Sequence, residues 1–366
     1  MDELELVAPQ RTVTVTFSLE PVYNFVSILL LLEEAERTSG FSEWAEQTAA
    51  RMSPERRYTH QLLLEGLSTW GYLEGVSWPS VPVWLDDLSA RDPFAMRDRV
   101  VEGLSAKARG VLGDGSSSLP TPAQLLADRT AYLSIVEQLI CYKGKKKTFD
   151  TSLYEKVHVL LNDPPGMKEL LVAHLRAMWD EVVSPEWERN LPMLQESIAA
   201  FESLDYGGKS TAEIISWVVG REAPAKWQEW QAEVDHLIFI PSAHIGPYLM
   251  LIEHDDKRGR IIFGARIPEG TAIRSPALSR SELLMRLSAL VDDTRLRIVE
   301  LLAREGELGA REIMAHLGLS QSSASRHLRQ LSATGYLIER RHEGAKCYRL
   351  NRDRIDDTLD ALKGFL

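Results

Sequence analysis

At 366 residues the chain is too long for one small domain and suits two or three. An apolar fraction of 44% and a charged fraction of 26% are those of a folded globular protein and exclude general disorder. Two cysteines, Cys141 and Cys347, far apart in sequence, exclude a disulfide framework and a CxxC metal knuckle, and the net charge of −11 argues against a phosphate-binding surface unless the charge is unevenly spread.

The first residues, Met1-Asp2-Glu3-Leu4-Glu5, are acidic where a secretory leader is basic. The apolar run Ile28–Leu32 is far short of the ~20 residues of a membrane span. A soluble, cytoplasmic protein without membrane contact is therefore expected. Residues 12–17 alternate with period two and read as a strand, and Pro21 opens an apolar helix to about Arg37. Helical patterns continue from Phe41 to Arg109. The segment 113–122, rich in Gly, Ser and Pro, is the clearest loop and a candidate inner boundary. Further helices are expected at 123–142, 166–183, 185–204 and 210–219, then short strands at 237–240, 248–252 and 260–265, with a turn at 254–259. The segment 268–279 reads as a linker. The fold expected is mainly α (α+β): a helical N-terminal domain with a small sheet over 1–270, a linker at 271–278, and a winged helix-turn-helix over 279–366.

Charge follows this division. Residues 279–366 hold 15 Lys+Arg against 13 Asp+Glu, a net +2, whereas residues 1–278 hold 27 against 40, a net −13. All nine tryptophans lie between Trp44 and Trp230. Phosphate contact should fall to the C-terminal part alone. There, a helix at 310–317 is closed by Gly318, in the position where the left-handed conformation suits glycine. Ser320 caps a second helix, 321–333. At ~100° per residue, Ala324, Leu328 and Leu331 share one face and Ser322, Arg326 and Arg329 the opposite one, with Gln321 and Ser325 at its edge. Base edges are read by amide, hydroxyl and guanidinium groups, and an ordinary solvated face carries Glu and Lys instead. His327, beside the buried stripe, suits a structural role and a phosphate contact equally. Residues 337–341 and 346–350 form a hairpin whose tip gathers Arg340, Arg341, His342 and Lys346, a wing beside the second helix. Flanking helices 281–290 and 353–366 carry spare apolar stripes, Leu283, Leu284, Leu287 and Leu290 on one and Ile355, Leu359 and Leu362 on the other. They suit a homodimer on a palindromic double-stranded operator with half-sites ~34 Å apart, or packing on the N-terminal body.

The stretches 293–302, 319–328 and 335–340, with Glu343-Gly344 and Tyr348-Arg349-Leu350, resemble the ArsR-type (ArsR/SmtB-like) winged-helix repressors over roughly a quarter of the chain. The resemblance implies a dimer joined through its first and last helices and a repressor that reads DNA with the serine-rich helix. Metal-sensing members carry cysteines in the helix-turn-helix or a histidine and acidic cluster on the last helix. Here residues 310–333 lack cysteine and 353–366 lack histidine, so no metal and no cofactor is expected at those places. Around Ile240-Pro241-Ser242 and Phe263-Gly264-Ala265-Arg266 the chain resembles the uncharacterised extension of some such regulators, which names no ligand. His236, His244, His254 and Asp255 show no ligand spacing and read as solvated or core groups. Lys143–Lys147 reads as a solvated turn. No catalytic motif of the nucleophile-elbow, P-loop, dinucleotide or zincin type is present. The expected function is a DNA-binding regulator whose N-terminal domain is a sensor for a small-molecule effector or a dimerisation domain. An enzyme or a protein-interaction domain fused to a winged helix is the alternative.

Overall fold

A computed structural model describes residues 13–35, 38, 41–67, 72–73, 76–113, 119–141, 149–221, 223–224, 227–253, 257–266, 280–342 and 345–365. The expected linker, the basic turn 143–147, and His254 and Asp255 lie outside these residues. Among the described residues the chain is mainly helical with two small sheets. It divides into two compact units: Glu20–Glu33 with Thr48–Trp187, and Met1–Leu19 with Glu34–Gln47 and Glu188–Leu366.

Among the described residues the first unit is all helix. Its helix starts are written in the sequence as a capping oxygen followed by proline: Ser53, Ser80, Asp92, Thr121 and Asp163 each accept a hydrogen bond from a backbone N–H of the first turn, with Pro at N1 or N2. The single helix expected over 123–142 is two, Pro122–Ala127 and Arg129–Cys141. Asp128 leaves the helical region and its carboxylate accepts from the N–H groups of Thr130 and Ala131, so a mid-pattern residue acts as a cap. In the core, Phe25 meets the edges of Trp84 and Trp179 at 6.3 and 5.5 Å. A buried histidine pair lies nearby. His60 Nε2 donates to the Leu29 carbonyl at 2.8 Å, which leaves its Nδ1 to accept from His174 Nε2 at 2.9 Å. Burial holds both rings below the ordinary imidazole range, His174 at about 3.

In the second unit, β1 (Thr14–Phe17), β2 (His236–Ser242), β3 (Met250–Glu253) and β4 (Arg258–Gly264) form one sheet in the order β1-β2-β4-β3. β1 and β4 run parallel to β2, and β3 is antiparallel to β4. The continuous apolar runs of β2 and β4 are explained by burial on both faces, the usual state of a parallel pair. Phe17 stacks on Phe201 at 5.4 Å and on Phe239 at 5.3 Å, beneath the helices Ser184–Glu202 and Thr211–Val219. His236 and His244 serve the packing, bonded to Thr16 Oγ1 at 2.7 Å and to Ser42 Oγ at 2.8 Å.

The same unit holds the C-terminal winged core: helices Arg280–Leu290, Asp293–Glu305, Ala310–Leu317 and Gln321–Ala333, then β6 (Leu337–His342), β7 (Ala345–Leu350) and a last helix, Arg352–Phe365. A two-residue strand, β5 (Leu308–Gly309), joins the wing sheet in the order β5-β7-β6, with Leu308 opposite Tyr348. Its core gathers Ile298, Leu302, Ile313, Leu328, Leu331 and Tyr336.

Candidate nucleic-acid interface

Gly318 sits at φ 66°, ψ 32°, and its N–H closes the helix Ala310–Leu317 on the Met314 carbonyl. Only a left-handed residue turns the chain this sharply into the next helix. Ser320 then accepts from the Ser323 N–H at 3.2 Å and starts Gln321–Ala333. Ala324, Leu328 and Leu331 are buried, while Gln321, Ser322, Ser325, Arg326 and Arg329 are exposed. One helix thus anchors on its apolar stripe and displays amides, hydroxyls and guanidinium groups on the other.

A polar lock beneath the helix escaped the sequence reading. The buried Arg295 guanidinium donates to the carbonyls of Ala289 (2.6 Å) and Ser288 (3.0 Å) and to Gln330 Oε1 (2.8 Å), tying three helices together. Asp292 caps the helix Asp293–Glu305 through the Arg295 N–H. Burial disfavours its carboxylate, but that N–H and the Arg295 charge outweigh burial and hold its carboxyl below the usual range. His327 lies inside, 4% exposed, with Nδ1 at 3.6 Å from Asp292 Oδ1. Burial lowers its pKa despite that neighbour. Its ring therefore lies within the winged core, beside Asp292.

On the wing, Arg340 and Lys346 are exposed, and Lys346 Nζ pairs with Glu339 at 2.6 Å. Arg341 and His342 lie on β6 with backbone partners Lys346 and Ala345. The apolar stripes of the flanking helices are divided. Leu283 is buried, Leu290 and Ile355 pack on the winged core, Leu287 and Leu362 are half-buried, and Leu284 and Leu359 are exposed. The helices Arg280–Leu290 and Arg352–Phe365 also pack on each other, so part of each stripe is used within the chain. Arg329 Nη1 donates to Thr38 Oγ1 at 3.3 Å. With Ser325 it lines a cleft of about 630 Å³ whose other wall includes Pro224 and Trp227. Among the described residues no group of three or more His, Cys, Asp or Glu is placed to hold a metal ion, and no helix is long and apolar enough to cross a membrane.

Two helices joined by a left-handed glycine, the second serine-capped and followed by a hairpin, make a winged helix-turn-helix. The model of the family described as bacterial regulatory protein, arsR family, matches residues 292–339, within this core. Over 76 residues the chain is 47% identical to the arsenic resistance transcriptional regulator ArsR1 of Pseudomonas putida, covering 20% of this chain and 59% of that protein. Over 63 residues it is 46% identical to ArsR2 of the same organism, covering 17% and 55%. It is 33% identical to the arsenical resistance operon repressor of Staphylococcus aureus over 85 residues, 23% of this chain and 81% of that protein. The chain thus spans little more than half the length of the first two relatives. A crystal structure titled as a possible transcriptional regulatory protein from Mycobacterium bovis, fragment 1–100, is 27% identical, covering 23% of this chain and 94% of that one with a TM-score of 0.20. The chain belongs to the arsR family of bacterial regulatory proteins.

Proposed function

We propose that the chain is a sequence-specific DNA-binding transcriptional regulator, a dimeric repressor whose N-terminal part senses a small molecule. The observation that carries this reading is the two-faced helix Gln321–Ala333, anchored by Ala324, Leu328 and Leu331 and displaying Gln321, Ser322, Ser325, Arg326 and Arg329. These exposed side chains are of the types that read base edges, and the small serines admit the helix N-terminus close to phosphate. Ser320 serves as the cap, and Arg340, Arg341, His342 and Lys346 reach backbone phosphates from the wing. His327 acts by positioning the helix rather than by touching DNA. Exposed Leu284 and Leu359, with half-buried Leu287 and Leu362, supply the surface for a second copy, which would place two such helices on a palindrome.

Selection of bound fragments from genomic DNA, followed by binding titrations with the full chain, tests the reading. Arg326→Ala should lose about 1–3 kcal/mol on the selected site and relax base preference there, while Lys346→Ala should weaken all sequences alike. No preference for any duplex over scrambled competitor at moderate salt refutes sequence-specific regulation.

A further inference from the structure

The winged core and the four-stranded sheet face each other across a cavity of about 460 Å³. Its sheet wall is built where β2 and β4 end, at Ser242, Gly264 and Arg266. Those strands are parallel neighbours, so the cavity lies outside their carboxyl ends, the place where open α/β sheets bind ligands. A Cβ on Gly264 would stand 2.6 Å from the Gly246 carbonyl oxygen, so glycine alone lets the two backbones close that wall. The opposite wall comes from the winged core, through Arg295, Gln330 and Arg354.

The lining is amphipathic with an excess of positive charge. Arg221, Arg266, Arg295 and Arg354 converge on it against Glu43 and Glu46. Two of these arginines are committed to the protein: Arg295 to the lock described above, and Arg354, which donates to the Thr334 carbonyl at 3.1 Å. Arg221 differs. It donates to the Pro247 carbonyl at 3.3 Å, and among the described residues no carboxylate forms an ion pair with it. Burial pushes its guanidinium down to about 10, a penalty that a bound anion would relieve. Beside it, Phe41, Met193, Val219 and Leu249 offer apolar surface.

We propose that this cavity is the effector site and takes an organic carboxylate with an apolar body, the carboxylate on Arg221 and the body against Phe41, Met193 and Leu249. A planar guanidinium fits a carboxylate with two parallel hydrogen bonds, and the apolar lining rewards a ligand larger than an inorganic anion. The proposal rests on the sensor reading above and adds the site and the ligand class.

Calorimetric titration of the full chain without DNA tests it, with benzoate, phenylacetate, hexanoate and octanoate as probes and benzyl alcohol and octan-1-ol as uncharged counterparts. At least one acid is expected to bind saturably, and about tenfold or more weaker to Arg221→Gln, from loss of one charge-assisted contact. The matching alcohol should bind correspondingly more weakly, and Met193→Trp, which fills the cavity, should abolish binding. Should Arg221→Gln fold poorly, Met193→Trp carries the test. No saturable binding by any acid, equal binding by acid and alcohol, or undiminished affinity in the folded variants overturns the proposal. Because DNA is absent, failure here leaves the DNA-binding reading intact, and loss of DNA selectivity leaves this site intact.

Discussion

Acidification from pH 7.5 to 5 is expected to destabilise both units through buried histidines. Burial, with the neighbouring charges of His60 and Arg56, holds His174 at about 3, and burial with Arg189 holds His244 at about 4. Each ring binds its proton more readily in the unfolded chain, where the reference is 6.5. The stability they contribute is therefore complete above that reference and disappears as the pH falls toward the folded values. At pH 5, one and a half units below the reference, each histidine has given up about 2 kcal/mol at ~1.4 kcal/mol per unit. His60, lowered by burial against the opposing effect of its hydrogen bond to the Leu29 carbonyl, adds in the same direction. The carboxyls held low, Asp150, Glu213 and Asp292, lose their contribution mainly at more acid pH than this window. For a unit of about 150 residues, 2 kcal/mol corresponds to a fall in Tm of about 4–8 °C. Scanning calorimetry at constant ionic strength should show this fall between pH 6.5 and 5, and a shallower one for His174→Gln. A flat parent profile, or an equally steep one in the variant, would refute the burial argument.

Gly318→Ala has open space for its methyl group but must hold φ 66°, so a loss of about 1 kcal/mol is expected in denaturant titration. Tyr336→Phe removes a buried hydroxyl that lies 3.1 Å from the Arg286 carbonyl and 3.2 Å from Thr358 Oγ1, and should lose about 1–2 kcal/mol by the same measurement. Leu359→Glu, at a side chain 45% exposed, should leave the melting profile unchanged and convert the proposed dimer to monomer in analytical ultracentrifugation.

The winged core was legible because its signals are local. Gly318, Ser320 and the apolar stripe Ala324-Leu328-Leu331 fix a turn, a cap and a face within fourteen residues, 318–331, and the helices Ala310–Leu317 and Gln321–Ala333 stand where the pattern put them. The strand-type runs of the N-terminal part were legible as strands, but not their order. β1 pairs with β2 across a separation of 222 residues, Thr14 to His236, and no local rule reports such a partner. β5 is two residues long and exists only because Tyr348 and Cys347 present a free edge to Leu308 and Gly309. Arg295 on an amphipathic helix looks like any solvated charge until Gln330 and two helix-end carbonyls close around it. The cavity arginines were invisible for the same reason, since Arg221 and Arg354 line one cavity only in the folded chain.

The proposed effector cavity and the proposed reading helix share one junction, which fixes the sign of any coupling between them. Gln330 lines the cavity, and on the same helix Ser325 and Arg329 line the cleft that faces Pro224 and Trp227. Arg329 is tied to that cleft by its hydrogen bond to Thr38 Oγ1, so a duplex groove that engages Arg329 favours an open junction. A ligand on Arg221 that fills the cavity up to its winged wall of Arg295, Gln330 and Arg354 favours the closed junction, and DNA favours the open one. A ligand acts only through its different affinities for two such states, and the effect must be reciprocal. Saturating carboxylate should therefore weaken operator binding, and operator should weaken carboxylate binding by the same factor, about 5–150-fold for an ordinary coupling. Arg221→Gln should keep operator affinity and lose the response. Tighter operator binding in the presence of the carboxylate would show that the closed junction is not the state the ligand selects.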